Sequence, residues 1–390
     1  MSNLLDLAFT HALTPTADRV LRERVAAHAM DVLASAGGGD RSLIARAEAA
    51  VRADPASAFA FDSTGLASLR VGAHTWQAGR FETPSIGELR QRVRARQGTG
   101  QARLWVFDGA SPATDIGSLQ ATSGDNTLFQ VASQFNCLEA PGPFVTPVTR
   151  YLSDPTQGPR AAISAFPATL LRHYAAPGAD GARFVQATDG PQIDLLADAL
   201  GLGVVSNGYL EGDGVANPPA VVEALATRFD AIRVGVHDAA QVALGYNWDG
   251  AVAGPEPRLI SQAFTSTVAG GGYGGASNLG RDGFTAVARH LLRAAYLGTL
   301  LAAVSLGCCR VVLTLIGGGV FGNPMPLIWE AIVWAMDEVT PLVSHDLEVV
   351  VNGYNLGSVL DLDAKVLPDV RLRGGAVLRF DRDGLVSVER

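Results

Sequence analysis

Residues 309–339 have the sequence CRVVLTLIGGGVFGNPMPLIWEAIVWAMDEV, which combines a strand pattern, a glycine loop and a helix pattern. Its first part, residues 310–316, is a short apolar run rich in β-branched side chains, which predicts a strand covered on both faces. Four glycines follow within six residues, and they lack the Cβ atoms that would keep a ligand away from the backbone. The last part predicts a helix with Pro326 in its first turn. The apolar side chains of that helix fall on one face: Ile328, Ala331, Ile332, Ala335 and Val339.

A strand, a glycine loop and a helix in this order point backbone N–H groups at an anion, most often a phosphate. A tight strand-to-helix turn without a ligand is the alternative interpretation. The spacing Gly317-x-Gly319-x-x-Gly322 also matches the dinucleotide fingerprint, so an NAD-dependent oxidoreductase is a second alternative. That fingerprint normally opens a domain, whereas only about 70 residues follow this loop. The predicted ligand-binding residues are Gly317, Gly318, Gly319, Val320, Phe321, Gly322 and Asn323.

The composition indicates a compact globular protein, since 48% of the 390 residues are hydrophobic and only 17% are charged. A net charge of −8 argues against a nucleic-acid-binding surface. The three cysteines have neither zinc-site spacing nor a disulfide framework, so we expect no metal site and a reducing, cytoplasmic location. The apolar stretches are short or interrupted by glycine and proline, so we expect no secretory signal and no membrane span.

Two regions are expected from the distribution of these patterns along the chain. Residues 1–115 have mainly helical patterns, and residues 116–390 have the alternating strands and helices of an α/β domain. That alternation predicts a mostly parallel, mixed sheet with helices on both faces. The strands predicted in the second region lie at 128–132, 232–237, 258–264, 310–316 and 347–351, the last of which is expected to end the sheet.

The order of these elements resembles that of a macrodomain, the ADP-ribose-binding α/β/α fold. GGGVFGNP at residues 317–324 takes the place of the family's second phosphate loop, which ends in glycine, an aromatic residue and proline. VASQFNCLE at residues 131–139 is similar to the first loop, and its Asn136 matches the asparagine that holds the distal ribose. The chain departs from the family in having Asn323 where an aromatic residue is usual. The resemblance starts at Thr122, and residues 150–257 form an insertion relative to a minimal macrodomain.

The whole chain is similar to the macrodomain subfamily of pathogen effectors that remove ADP-ribose from modified ubiquitin. This resemblance implies a three-layer α/β/α fold and a metal-independent hydrolase that needs no cofactor and has ADP-ribose as its ligand or product. The implied partner is an ADP-ribosylated protein, either ubiquitin-like or modified on arginine. A reader that binds ADP-ribose without hydrolysing any bond is a further alternative. In the subfamily, catalysis is assigned to aspartates.

The release of ADP-ribose breaks a C1″–N or C1″–O bond through an oxocarbenium-like transition state, and carboxylates suit that reaction. Asp238 directly follows the predicted strand 232–237, so it is expected at an edge of the sheet. Asp249 follows Trp248 in a polar-aromatic loop, and Asp230 precedes the same strand. All three are candidate catalytic residues, and the alternative is that they only cap turns. Glu330, one turn into the last predicted helix, is a further candidate, with a surface role as its alternative.

Overall fold

The computed structural model describes residues 3–94, 99–124, 126–178, 181–210, 217–252, 254, 256–270 and 279–390. Its helices are α1 Leu4–His11, α2 Asp18–Ala34, α3 Ser42–Ala53, α4 Pro55–Ala58, α5 Ile86–Arg94, α6 Ile116–Thr122, α7 Gln157–Ser164, α8 Phe166–Tyr174, α9 Ala197–Leu200, α10 Pro218–Thr227, α11 Gly280–Leu306, α12 Met325–Val339, α13 Leu356–Val359 and α14 Leu367–Leu372. Its strands are β1 Phe59–Phe61, β2 Ala67–Val71, β3 His74–Glu82, β4 Ala102–Asp108, β5 Thr127–Ala132, β6 Ala176–Pro177, β7 Arg183–Phe184, β8 Val205–Ser206, β9 Tyr209–Leu210, β10 Gly235–Val242, β11 Arg258–Thr265, β12 Arg310–Leu313, β13 Leu347–Asn352, β14 Val377–Asp381 and β15 Gly384–Glu389.

Eleven of these strands form one mixed sheet in the order β1-β2-β3-β10-β11-β5-β12-β13-β4-β14-β15. The six strands from β11 to β14 in that order are parallel, and antiparallel strands flank them on both sides. The predicted mixed α/β sheet is therefore confirmed. Because parallel strands end at the same edge, the loops that follow β11, β5 and β12 lie side by side.

Hydrogen bonds from two glutamines show that helices cover both faces of the sheet. Gln262 on β11 donates to Ala161 O of α7 at 3.0 Å, whereas Gln130 on β5 donates to Ala295 O of α11 at 3.3 Å. The register pairs Gln262 with Phe129, so Gln130 points to the opposite face from Gln262. Helices α7 and α11 therefore lie on opposite sides of the sheet.

The sheet continues across the boundary expected near residue 115. Helices α1 to α5 lie before that boundary, but so do β1 to β4, which all belong to the large sheet. Strands β2 and β3 pair in antiparallel orientation as a hairpin. Residues 1–115 thus contribute helices and four strands of the central sheet, and the domain boundary itself stays a prediction.

Three strand predictions differ from the structure. The strand predicted at residues 310–316 ends earlier, because β12 spans Arg310–Leu313. The predicted strand 232–237 is displaced to β10, Gly235–Val242, so Asp238 lies inside the strand and not after it. The strand continues past Asp238 through a bulge, where Ala239 has φ +54° and Gly79 on β3 leaves room for the Asp238 carbonyl. The expectation that residues 347–351 end the sheet is also wrong, because the β14–β15 hairpin follows.

Helix α11 is long and apolar enough, by length and composition alone, to span a membrane. In the structure, 83% of its most apolar window is buried inside the protein, where the helix packs against α12 and α5. Its glycine at position 298 brings the helix against the Val234 side chain, which a Cβ there would approach to 2.5 Å. The apolar surface of α11 is therefore packed inside the protein core.

Candidate active site

A cavity of about 160 Å³ lies at the carboxyl ends of β5, β11 and β12. This is the edge of a parallel sheet at which ligands bind, because the loops after neighbouring strands converge there. Three segments form most of its wall: residues 132–141 after β5, residues 314–321 after β12, and residues 154–159 at the start of α7. Thr267 after β11 and Tyr209 on β9 complete the lining.

The glycine loop forms one wall of this cavity. Gly317, Gly319, Val320 and Phe321 line it, and a Cβ on Gly319 would meet no atom within 4 Å. The space above Gly319 is therefore open to a ligand. Gly318 faces the other way, since a Cβ there would lie 3.0 Å from Ile328 Cδ1 of α12.

Gly322 and Asn323 shape the loop without lining the cavity. Gly322 has φ +65°, a conformation that favours glycine. The buried Asn323 side chain donates to Val268 O at 3.0 Å and accepts from Thr267 Oγ1 at 3.3 Å. Asn323 thus ties the glycine loop to the segment that follows β11, and its role in ligand binding stays a prediction.

Asn136 lies in the loop after β5 but does not line the cavity. Its amide donates to Gln192 Oε1 at 2.9 Å, and its Oδ1 accepts from the backbone N–H of Leu138 at 3.1 Å. The side chain is buried and both of its polar atoms have partners within the protein. Its proposed contact with a ribose therefore stays a prediction that the cavity lining does not support.

The three candidate aspartates lie outside the cavity lining. Each is ion-paired with an arginine: Asp230 with Arg90 at 3.3 Å, Asp238 with Arg80 at 3.5 Å, and Asp249 with Arg41 at 2.7 Å. Asp249 follows β10, whose carboxyl end pairs with the amino end of β11. Its loop packs against α7, where Arg160, the residue after the cavity-lining Pro159, donates to Asn247 Oδ1 at 3.3 Å. The structure does not bring these aspartates together with the glycine loop, and their catalytic role stays a prediction.

Glu330 has a structural partner on the neighbouring helix. Its Oε1 lies 3.0 Å from Arg293 Nη2 and 3.5 Å from Arg289 Nε, both on α11. The side chain is close to half exposed and does not line the cavity. These contacts favour the surface role that the sequence left open.

Two carboxyl groups that the sequence analysis did not select, Glu139 and Asp154, line the cavity. The Glu139 side chain is buried, and its Oε1 has no hydrogen-bond partner. Burial raises the pKa of Glu139 well above its ordinary value of 4.5, the Arg172 guanidinium acts in the opposite direction, and the Asp154 charge raises it further. Glu139 is therefore held in the protonated form at a pH where an exposed glutamate is ionised.

Buried hydrogen bonds fix the backbone at Glu139. Its N–H donates to the Tyr151 hydroxyl at 2.7 Å, and its carbonyl accepts from Thr146 Oγ1 at 3.1 Å. The Tyr151 hydroxyl also lies 2.8 Å from His173 Nε2. Burial lowers the pKa of His173 to about 3, so that ring is neutral and can accept a hydrogen bond from the tyrosine hydroxyl. The carboxyl group is thus presented to the cavity from a rigid segment.

The first turn of α7 closes the cavity beside Glu139. The Gln157 amide accepts from Ala132 N–H and donates to Gln130 O, both at 3.0 Å, so it fastens the helix to the end of β5. Gly158 lies so close to β5 that a Cβ would be 1.9 Å from Ala132 O. The Thr-Gln-Gly-Pro sequence at 156–159 is the signal that sequence reasoning missed, since Pro159 marks a helix start.

A buried cation lies beneath this loop. Arg172 donates from Nε to Cys137 O at 3.3 Å, and its guanidinium carbon lies 3.6 Å from the centre of the Phe264 ring. Burial lowers the pKa of Arg172 to about 10, which leaves it charged at neutral pH. Burial also raises the pKa of the Cys137 thiol to about 12, so this cysteine is not a thiolate nucleophile at neutral pH.

Within the described part of the chain, no three histidine, cysteine or carboxylate side chains are grouped so that they could hold a metal ion. Among the described residues that line the cavity, the carboxyl groups are those of Glu139 and Asp154, and the hydroxyl groups are those of Ser133, Thr156, Tyr209, Thr267 and Thr314. The fold and site together define a mixed α/β protein with its cleft at the carboxyl edge of a parallel sheet.

No protein-family model and no curated protein matches the sequence. Among solved structures, the chain is similar to poly(ADP-ribose) glycohydrolase from Thermomonospora curvata, with 15% identity, a TM-score of 0.41, and 80% of this chain and 92% of that chain covered. It is also similar to poly(ADP-ribose) glycohydrolase from Deinococcus radiodurans in complex with ADP-ribose, with 14% identity, a TM-score of 0.41, and 73% and 94% covered. A likeness this distant says nothing about chemistry, so function has to be argued from the cavity. The finer resemblance to ubiquitin ADP-ribose hydrolases stays a prediction.

Proposed function

We propose that this protein is a hydrolase of ADP-ribosyl linkages that removes ADP-ribose from a modified protein side chain. The observation that carries the proposal is a single cavity with the glycine loop on one wall and the buried Glu139 carboxyl group, whose pKa burial raises, on another. A loop without Cβ atoms suits a pyrophosphate, because its backbone can approach the phosphate oxygens closely. A carboxylic acid that stays protonated suits the donation of a proton to a leaving group.

The reaction would use the two carboxyl groups in complementary roles. The C1″–N or C1″–O bond breaks, its electron pair leaves with the acceptor atom, and Glu139 gives that atom its proton. The oxygen of a water molecule then bonds to C1″, and Asp154 accepts the proton that the water loses. Exchange with solvent returns both carboxyl groups to their starting state. Asp154 is held by the N–H of Thr156 at 2.9 Å and its hydroxyl at 2.6 Å.

The charge of the cavity supports an arginine-linked substrate. Among the described residues, the cavity lining contains the carboxyl groups of Glu139 and Asp154 and no lysine or arginine. A guanidinium acceptor would meet complementary charge at this surface, whereas an ester-linked acceptor carries no charge for Asp154 to attract.

The adenosine half of the ligand would extend along the same sheet edge. Strands β13 and β4 follow β12 in the sheet, and Tyr354 and Asp108 lie at their carboxyl ends. Tyr354 is 69% exposed and has φ +43°, an unusual combination for an aromatic side chain. We assign Tyr354 to stacking on the adenine ring, beyond the pyrophosphate held by the glycine loop.

The test is single-turnover release of ADP-ribose from an ADP-ribosyl-arginine protein by wild type and Glu139→Gln. Removal of a general acid is expected to lower the rate by about 10² to 10⁴, with the Kd for ADP-ribose changed no more than about threefold. Glu48→Gln is the matched control, because Glu48 is also buried but binds Val148 N–H and Tyr174 outside the cavity. Equal rates for wild type and Glu139→Gln would contradict the assignment. Binding of ADP-ribose by wild type without release from any linkage would favour a reader.

A further inference from the structure

The β8–β9 hairpin lies against the loop that carries Glu139. Its two-residue turn, Asn207 and Gly208, has φ +46° and +82°, as a tight hairpin turn of type I′ requires. Gly208 O accepts from Phe135 N–H at 2.8 Å. A Cβ on Gly208 would lie 2.7 Å from Asn136 Cγ, so only glycine permits this approach.

Tyr209, the residue after this turn, joins the same loop through its hydroxyl. It donates to Ala140 O at 2.8 Å, immediately after Glu139, and lies 3.3 Å from Gln134 Nε2. Gln134 itself spans the loop, because its amide bonds both the N–H and the carbonyl of Ala140 at 3.0 Å. The Tyr209 hydroxyl is thus part of a closed set of hydrogen bonds that holds the residue next to the catalytic acid.

The ring of Tyr209 contacts the opposite wall. It packs against Phe321 of the glycine loop with ring centres 5.9 Å apart and planes at 54°. The carbonyl of Phe321 in turn accepts from Gly270 N–H at 2.9 Å. Tyr209 is buried and lines the cavity, so one side chain touches the Glu139 loop with its hydroxyl and the glycine loop with its ring.

We infer that Tyr209 is a positioning residue that couples the two walls, so that the seating of the glycine loop on its ligand fixes the orientation of Glu139. The inference rests on the proposed function for its catalytic consequence. The mechanical link between the walls needs no ligand. Loss of the hydroxyl should free only the Glu139 loop, whereas loss of the ring should free both loops.

The experiment compares amide hydrogen exchange in the unliganded wild type, Tyr209→Phe and Tyr209→Leu. In Tyr209→Phe, exchange at Phe135 and Glu139 is expected to accelerate about fivefold or more, on the scale of one lost hydrogen bond, while Gly322 and Asn323 keep their wild-type rates. In Tyr209→Leu, all four amides should exchange faster. Tyr174→Phe, which loses a hydroxyl bond to Glu48 at 2.7 Å outside the cavity, is the control and should change none of them.

Turnover provides the second readout on the same variants. Per folded molecule, Tyr209→Phe should release ADP-ribose about tenfold more slowly with an ADP-ribose Kd within about twofold of wild type. If Tyr209 had only a structural role, its substitution would lower only the melting temperature.

The coupling would be overturned if the amides of Gly322 and Asn323 exchanged at wild-type rates in Tyr209→Leu. If Tyr209→Leu does not fold, Phe321→Leu serves in its place and must accelerate exchange at Glu139 for the coupling to stand. A wild type without any hydrolysis would contradict the proposed function and leave the exchange result to decide the coupling alone.

Discussion

Gly158 and Glu139 pack so closely that a Cβ on Gly158 would lie 2.5 Å from Glu139 Oε2. The first turn of α7 therefore covers the carboxyl group directly, and this cover is part of the burial that raises the pKa of Glu139. The same glycine lies against Ala132 O at the end of β5. Because Gly158 has no side chain, the start of α7 can pack against both the end of β5 and the buried Glu139 carboxyl group.

Substitution of Gly158 by alanine should displace α7 from β5 and expose Glu139. The added Cβ would lie 1.9 Å from a backbone oxygen, which cannot move as a side chain can. We expect a loss of unfolding free energy of about 1–3 kcal/mol, the scale of overpacking, and a large loss of turnover. Gly124→Ala is the control, because a Cβ at Gly124 meets nothing within 4 Å. Urea unfolding of both variants measures the effect, and equal stabilities would show that the packing at Gly158 relaxes without cost.

The raised pKa of Glu139 predicts a specific pH dependence of stability. Between the ordinary value of 4.5 and the raised value in the folded protein, the unfolded chain loses the proton while the folded chain keeps it. Wild type should therefore lose stability relative to Glu139→Gln as pH rises through that window, and the two should converge below it. The loss amounts to about 1.4 kcal/mol for each pH unit that separates the folded pKa from the unfolded one. Urea unfolding from pH 4 to pH 8 measures it, and parallel curves would contradict the buried acid.

The glycine loop offers a matched pair of substitutions. Gly319 faces open space in the cavity, so Gly319→Val should keep the fold and weaken ADP-ribose binding at least tenfold, or about 1.4 kcal/mol. Gly318 faces Ile328 and Met325 at 3.0 Å, so Gly318→Val should instead lower the melting temperature. Calorimetry with ADP-ribose and thermal unfolding of both variants separate the effects. Wild-type affinity in a folded Gly319→Val protein would exclude this loop from the ligand.

The sequence was most informative where the chain itself dictates local structure. The glycines of the loop and the periodic apolar face of α12 are local signals, and both correspond to the structure. Displacement of β10 could not be foreseen, because the bulge at Asp238 depends on Gly79 of another strand. The β14–β15 hairpin was missed although Asp383-Gly384 is a turn signal between two apolar runs.

The acid in the cavity depends on contacts that are distant in sequence. Glu139 appears in the sequence only as a charged residue near a proline-rich turn, which predicts exposure. Its burial arises from contacts with Tyr151 and with the start of α7. No local sequence pattern in either segment indicates that it packs against Glu139. The aspartates are candidates in the sequence because they lie near predicted strand ends. In the structure, their carboxylates form ion pairs with arginines from distant parts of the chain. Partners of this kind become visible only once the chain is folded.

The two readings of the aspartates make opposite predictions for Asp238→Asn and Asp249→Asn. Both carboxylates are partly exposed and ion-paired, Asp238 with Arg80 and Asp249 with Arg41, and neither lines the cavity. We expect each variant to lose no more than about 1 kcal/mol of unfolding free energy, the range of solvent-exposed ion pairs. Asp249→Asn should lose more than Asp238→Asn, since its ion pair is shorter, at 2.7 Å against 3.5 Å.

Turnover decides between the readings. Per folded molecule, both variants should release ADP-ribose at wild-type rates, while Asp154→Asn, which alters a carboxyl group of the cavity, should be slower by about 10² or more. Single-turnover release, corrected for the folded fraction from the urea transitions, is the measurement. A hundredfold loss in Asp238→Asn or Asp249→Asn, with the melting temperature unchanged and Asp154→Asn fully active, would return catalysis to the aspartates that the sequence selected. It would also mean that the cavity beside Glu139 binds the ligand without carrying out the chemistry.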